Sequence, residues 1–415
     1  MRKKIKILTI CSAIDLDIIG GMTPMYWQLF GKLNELGVEI IVIPIRGKAL
    51  SSLWWRHYEN PLLSIQSSFI NNLIQKVYTS SWQRVTDNKN YTMDHKSNFN
   101  IGAQISKIKV TISDNIKNSY VANLMLPKWK ECLSKVWNIE RGIDVIILFN
   151  PLSFSNYMIK ELPKFIHRNF GIPVILYFAD LPTFFWDNEN FKLSPIYNSD
   201  INEYDAFLVN SEGIIDKLIN LGASRVYILH FGADPNLFAP IEVKKDIDIS
   251  FYGYGAKLRE EAMRYMITDP SNELRNVIFR TAGKFSIDLG YSKNIGFLRF
   301  DSLKRFCCRS KINLNITRRT FAETYCSSTA RPFELAAMEC CIVSNDCKGI
   351  DKLFVPNKEI IISKNKDETI EIYKWLISSD EERLKIGRNA RKKVLKEHTY
   401  NHRAKQLFEI INQIT

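Results

Sequence analysis

The 415-residue chain has no run approaching the roughly 20 consecutive apolar residues that a membrane-spanning helix needs. Its best apolar stretches, such as 172–179, are strand length, which excludes an integral helical membrane protein. None of its eight cysteines stands in a Cys-x-x-Cys pair, and none has a histidine near it at zinc spacing. A zinc finger or ribbon is therefore excluded, a site through Cys340, Cys341 and Cys347 is set aside, and no metal is expected. Cysteines lying in apolar runs suit reduced core thiols of a cytoplasmic protein. Repeats and low-complexity tracts are missing too, and 46% hydrophobic with 12% aromatic residues excludes a disordered or fibrous chain. The basic start Met1-Arg-Lys-Lys and the apolar run 7–14 superficially resemble a leader, but Asp15 and Asp17 break it, and a first strand is the reading.

Acidic residues are outnumbered, giving a formal net charge of +13. Such an excess points to an anionic partner: a nucleotide, a phosphorylated carrier, a membrane surface or nucleic acid. No nucleic-acid-binding module is visible and the charge is spread along the chain, so no nucleic acid is expected.

Short β-branched runs alternate with amphipathic stretches, the pattern of βα units and a parallel sheet. Strands are expected near 5–11, 38–45, 144–149, 173–178, 206–209 and 226–229, with helices over 22–36, 155–170 and 211–221. The helices end near Gly37, Gly171 and Gly222, as left-handed caps do. A second series of strands follows near 249–252, 277–280, 312–316, 341–344 and 359–362. The fold class is α/β, with two Rossmann-like domains facing across a cleft. Pro235 and Pro240 in a turn-rich segment mark the boundary. The expected division is 1–240, 241–398, and a last helix within 399–415 that crosses back to the first domain.

About 90 residues, 47–135, separate the second strand from the next clear helix, too long for a structureless loop. Trp54, Trp55, Arg56, His57, Tyr58, Lys76, Tyr78, Trp82 and Arg84 give this insertion an aromatic and basic character. It suits a membrane interface or a bulky acceptor, or it caps the domain's own core.

The richest segment for chemistry is 327–346. Pro332 suits a first helical turn, and Glu334 just after it is expected where the helix dipole favours an ionised carboxylate. A carboxylate there accepts two hydrogen bonds from a vicinal diol such as a ribose, or merely caps its helix. Backbone N–H groups at the helix start, with the hydroxyls of Ser327, Ser328 and Thr329, offer a cradle for a diphosphate.

The run Arg331-Pro-Phe-Glu-Leu-Ala-Ala-Met-Glu-Cys-Cys-Ile-Val-Ser-Asn-Asp, then Gly349-Ile-Asp-Lys-Leu-Phe and Glu397-His-Thr-Tyr-Asn-His-Arg-Ala, resembles the donor-binding domain of GT-B glycosyltransferases. It is similar in particular to their spore-maturation-protein-like branch within the family 1 and 4 group. The resemblance implies a nucleoside diphosphate sugar, UDP- or GDP-linked, as donor substrate, and no cofactor. It implies Glu334 on the ribose and Arg331 beside it. Asp248-Ile-Ser-Phe-Tyr-Gly-Tyr-Gly-Ala-Lys-Leu-Arg resembles the family's first strand and glycine turn of that domain. Gly253 and Gly255 would then let the backbone approach a phosphate that Lys257, Arg259 and Arg318 neutralise. Gly20 and Gly21 resemble the glycine loop between donor phosphates and acceptor. Asp180, after the strand near 173–178, is a candidate base, an acceptor-orienting group or a turn cap.

One departure stands out. Counting back eight from Glu334, where family 4 retaining enzymes often carry another glutamate, gives Cys326. The expected activity is metal-independent sugar transfer to an acceptor hydroxyl on a glycan, a lipid-linked glycan or a small molecule. The expected setting is the cytoplasm, with peripheral contact at the inner face of a membrane. A non-catalytic partner subunit and a nucleotide-sugar epimerase are the alternatives.

Overall fold

The computed structural model describes residues 4–11, 25–45, 51–63, 121–149, 156–179, 201–255 and 257–415. The first sheet comprises β1 (Lys6–Cys11), β2 (Glu39–Pro44), β3 (Arg56–His57), β4 (Val145–Phe149), β5 (Val174–Phe178), β6 (Ala206–Val209) and β7 (Val226–Ile228). Its order is β3-β2-β1-β4-β5-β6-β7, with every pair parallel. Such a sheet is covered on both faces, which is why β4 (VIILF) and β5 (VILYF) are apolar and buried at every position. Val145, Ile147 and Phe149 pack with α1 (Met25–Glu35). Ile146 and Leu148 point the other way, into a core closed by α2 (Leu126–Glu140) and α3 (Asn156–Phe170).

The second sheet comprises β8 (Ile247–Gly255), β9 (Phe279–Phe285), β10 (Lys293–Asn294), β11 (Ser310–Asn315), β12 (Ile342–Asn345) and β13 (Ile361–Ser363). It runs parallel in the order β10-β9-β8-β11-β12-β13. One face is covered by α4 (Phe300–Cys308) and α5 (Ala330–Ala337), the other by α6 (Lys366–Ser378). Both faces also receive side chains of α7 (Asp380–Glu397). Each sheet thus grows outward in both directions from a central pair, β1/β4 in the first and β8/β11 in the second. That is the doubly wound topology, whose ligands bind beyond the carboxyl ends of the central pair.

The last helix, α8 (Tyr400–Ile414), is capped by Thr399, whose hydroxyl accepts from the His402 N–H. Its residues Tyr400, Ala404, Leu407, Ile410 and Ile411 join the core of the first sheet beside α1. The chain therefore leaves the second sheet and closes the first.

Two edge strands, β3 and β10, are additions to the sequence expectation; each is two residues long and too short for periodicity to register. Of the insertion, Trp54 and Trp55 pack edge-on against Trp27 at 5.6 and 5.1 Å, and Trp55 is buried, so these rings cap the domain's own core. Arg56 pairs with Glu39 and Glu140, and Tyr58 donates to Glu140. Lys76, Tyr78, Trp82 and Arg84 lie outside the described residues. All eight cysteines are free and seven are buried. Among the described residues, no helix is long and apolar enough to cross a membrane.

Candidate functional site

Beyond the carboxyl ends of β8, β11, β12 and β13 lies a crevice of about 810 Å³, lined in part by Lys257, Arg259, Arg264, Thr317, Arg319 and Lys364. Its walls are the turns that follow the central pair of the second sheet, so topology alone puts it where a doubly wound domain binds ligands. Lys257 is exposed in a short turn, Lys257–Arg259. Arg259 is held more firmly: its Nη1 donates to the Tyr254 carbonyl at 2.7 Å and its Nε to the Ile316 carbonyl at 2.9 Å. It thereby ties the end of β8 to the segment after β11. Arg319 is exposed and paired with Glu323 at 2.6 Å. Arg318 does not line the crevice; it opens the turn Arg319–Glu323 and lies over the Phe321 ring at 4.8 Å. The sequence analysis names Arg318, and the structure puts its neighbour Arg319 in the wall.

Gly253 and Gly255 are strand residues, not a turn, because β8 runs on to Gly255. Their lack of a side chain serves packing. A Cβ on Gly253 (φ +138°) would stand 2.5 Å from Arg331 Nη2, and one on Gly255 would meet Phe285. Gly283, paired with Gly253 across β8 and β9, has its own φ of +137° and leaves no room for a Cβ against the Gly253 carbonyl.

Beneath the crevice the Tyr252 hydroxyl donates to Glu334 Oε2 at 2.8 Å. Glu334 is 3% exposed and sits in the second turn of α5, which begins at Ala330. Pro332, the third helical residue, lies in the first turn as expected, and Glu334, the fifth, falls just past it. The guanidinium of Arg331 lies over the Phe251 ring at 4.7 Å and the Tyr252 ring at 5.0 Å, and its Nη1 donates to the Ile316 carbonyl at 3.2 Å. Burial lowers the Arg331 pKa, with Tyr252 and Glu334 opposing the shift. Burial raises the Tyr252 hydroxyl well above the ordinary phenol range, and Glu334 pushes the same way. The Tyr252 hydroxyl keeps its proton at neutral pH.

Ser327 and Ser328 are drawn into a seam between the two sheets' domains. Ser327 donates to the Ser211 hydroxyl at 2.9 Å, and Ser211 to the Tyr325 carbonyl at 2.9 Å. The Ser328 hydroxyl accepts from the Phe231 N–H at 3.0 Å, while its N–H donates to the Asn210 carbonyl at 2.9 Å. Buried and doubly engaged, Ser328 is a seam residue in this structure instead of part of an open anion cradle. Thr329 precedes α5 in an extended conformation without a capping side-chain bond. In the same seam, burial and then the Arg403 cation push His230 down to about 4 and His398 down to about 3. Both imidazoles are neutral at pH 7.

Asp180, Gly20 and Gly21 lie outside the described residues; Asp180 follows Ala179, whose carbonyl accepts from Asn210 Nδ2 at 2.6 Å. The acidic pair Asp246 and Asp248 sits at the amino end of β8, where Arg309 and Lys311 take its carboxylates, away from the crevice. Sequence reasoning missed Arg264, Thr317 and Asn345 in the crevice wall. It also missed a buried polar ladder, Ser250 with Asn313 and Asn315 with Ser344. The available signal was asparagine alternating with Ile312 and Leu314 along β11 (SKINLN).

Residues 259–409 match the glycosyl transferase-like family. No curated protein sequence matches the chain significantly. Among solved structures, the sucrose-phosphate synthase of Thermosynechococcus elongatus is similar, with a TM-score of 0.62 and 11% identity over 99% of either chain. A glycosyltransferase from Rickettsia africae has a TM-score of 0.59 and 12% identity over 99% of this chain and 98% of its own. HepE of Anabaena, in complex with UDP and glucose, has a TM-score of 0.59 and 10% identity over 98% of this chain and 99% of its own. At such identities the likeness is one of fold. The whole chain thus shares the fold of these structures, and its residues 259–409 match the glycosyl transferase-like family.

Proposed function

We propose that the protein transfers a sugar from a nucleoside diphosphate sugar to an acceptor hydroxyl in the cleft between domains 1–240 and 241–398, with 399–415 as the crossover. The observation that carries this reading is the crevice at the central strand pair of the second sheet, whose wall sets Lys257, Arg259, Arg264, Arg319 and Lys364 among Glu260, Glu261, Glu323 and Asp346. Lys257, Arg259 and Arg319 there neutralise a diphosphate as it leaves, and the N-terminus of α5 adds its dipole. Glu334, oriented by Tyr252, receives the ribose diol, and Arg331 supports both. Asp180, two residues after β5 in the sequence, is the candidate base or acceptor-orienting group. A UDP-sugar is the first donor to try, since HepE is in complex with UDP and glucose and an E. coli trehalose-6-phosphate structure holds UDP-2-fluoro glucose. A GDP-sugar is the second.

Catalysis on this reading rests on positioning and charge neutralisation, with no covalent nucleophile. The acceptor is a glycan, a lipid-linked glycan or a small molecule, and the net charge of +13 suits work at an anionic cytoplasmic membrane face. Titration calorimetry with UDP, GDP, ADP and CMP tests the donor site. UDP or GDP is expected to bind selectively, and Lys257→Ala combined with Arg319→Ala to weaken that binding while leaving the melting temperature unchanged. Silence towards every nucleotide would overturn the reading and leave a non-catalytic partner subunit.

A further inference from the structure

Three side chains that the sugar-transfer reading does not use meet in the seam. Glu212 follows β6, His230 follows β7, and Cys326 precedes α5, so two come from the first domain and one from the second. Their ligand atoms all lie within 4.8 Å of one another, and Cys326 Sγ stands 3.9 Å from His230 Nε2. Zinc bonds of about 2.3 Å to sulfur and 2.0 Å to nitrogen would separate those two atoms by about 3.6 Å in a tetrahedral site. A shift of a few tenths of an ångström therefore suffices.

The surroundings are those of a metal ligand set. His230 Nδ1 lies 3.3 Å from the Asn210 carbonyl, so that nitrogen carries the proton and Nε2 turns its lone pair towards Cys326. Cys326 holds a left-handed φ of +49°, unusual for a residue with a side chain, and its N–H is tied to the Lys348 carbonyl at 2.8 Å. Backbone strain is thus maintained where the thiol faces its two neighbours. His230 and Glu212 are only partly buried, which leaves an approach for an ion. Two cations act on these groups: Arg403 on His230, itself engaged with His398 Nδ1 and the Phe231 carbonyl, and Lys352 on Cys326.

The geometry points to a zinc site formed by Glu212, His230 and Cys326, which latches the two domains together at their seam. Thiolate, imidazole and carboxylate in this combination select a borderline-soft divalent ion, and the two anionic ligands balance its charge. On binding, the Cys326 thiol proton passes to solvent as the sulfur–zinc bond forms, and no electron changes hands. A solvent water completes the fourth position.

The full-length protein, stripped by chelator, is titrated with zinc against a chromophoric competitor and with cobalt as a spectroscopic probe. The expected result is about one metal per chain and a sulfur-to-cobalt charge-transfer band. The band should vanish in Cys326→Ser and persist in Cys132→Ser, with affinity falling roughly tenfold or more in His230→Ala. No stoichiometric binding by the unaltered protein, or an undiminished band in Cys326→Ser, overturns the proposal. X-ray absorption at the zinc edge of the unaltered protein needs no variant to fold: a shell with a single sulfur is expected, and one with no sulfur or several overturns it equally.

Discussion

The hydroxyl of Tyr252 on β8 donates to the carboxylate of Glu334 on α5 at 2.8 Å, joining the strand that opens the second domain to the helix at its cleft. Because Glu334 is 3% exposed, no bulk water replaces that donor. Tyr252→Phe is therefore expected to destabilise the protein by about 1–3 kcal/mol in urea unfolding. It should also weaken nucleotide binding in calorimetry. An unchanged midpoint would mean that the carboxylate finds another donor.

Gly253→Ala tests the packing of the same cluster. The added methyl would lie 2.5 Å from Arg331 Nη2 on a backbone with φ +138°. Strain of about 1–3 kcal/mol is expected from the backbone alone, before the guanidinium is displaced. Thermal unfolding measures it, and Gly283→Ala should be worse, since its methyl would meet backbone at Gly253 rather than a movable side chain.

Single crevice substitutions separate binding from folding. Lys257→Ala or Arg319→Ala removes an exposed charge, so stability should hold within about 0.5 kcal/mol. Nucleotide affinity should fall roughly tenfold for each, the worth of one charge-assisted hydrogen bond, and less at high salt. Affinity equal to that of the unaltered protein would place the diphosphate elsewhere.

Stability should fall on acidification through His398. Burial and then Arg403 depress its pKa from 6.5 to about 3, so the unfolded chain takes the proton first as pH drops. The stabilisation is complete above about 6.5 and drains away towards 3, with about 2 kcal/mol gone at pH 5. His398→Gln, which keeps an acceptor for the Arg403 guanidinium, should flatten that part of the profile in denaturant titrations.

A stop codon after His398 would remove α8. Tyr400, Leu407, Ile410 and Ile411 are buried against the first sheet, and about 1.5–3 kcal/mol accompanies each large apolar side chain. The sum, about 6–12 kcal/mol, is comparable to a domain's whole stability of about 5–15 kcal/mol, so circular dichroism should report unfolding of the first domain.

Much of the architecture was legible before any coordinates. Fully buried parallel strands must be apolar at every position, so 145–149 and 174–178 stand out as runs, and glycines after helices mark the turns. The ordered set around Glu334, with Glu397-His-Thr-Tyr, is local enough to carry the resemblance, and it lies within residues 259–409, which match the glycosyl transferase-like family. What composition and spacing leave open is which side chains meet. Gly253 reads as a phosphate turn in one dimension; only the arrival of Arg331, 78 residues later in the chain, makes it a packing glycine. Ser328 reads as an anion ligand until Asn210 and Phe231 are brought against it across the seam. Cys326 reads as a missing glutamate until β6 and β7 deliver Glu212 and His230. Periodicity reports the face of an element, set by burial within a few residues. Partners about a hundred residues apart are chosen by how strands and helices pack within a domain and how the two domains meet, and that choice belongs to the tertiary structure alone.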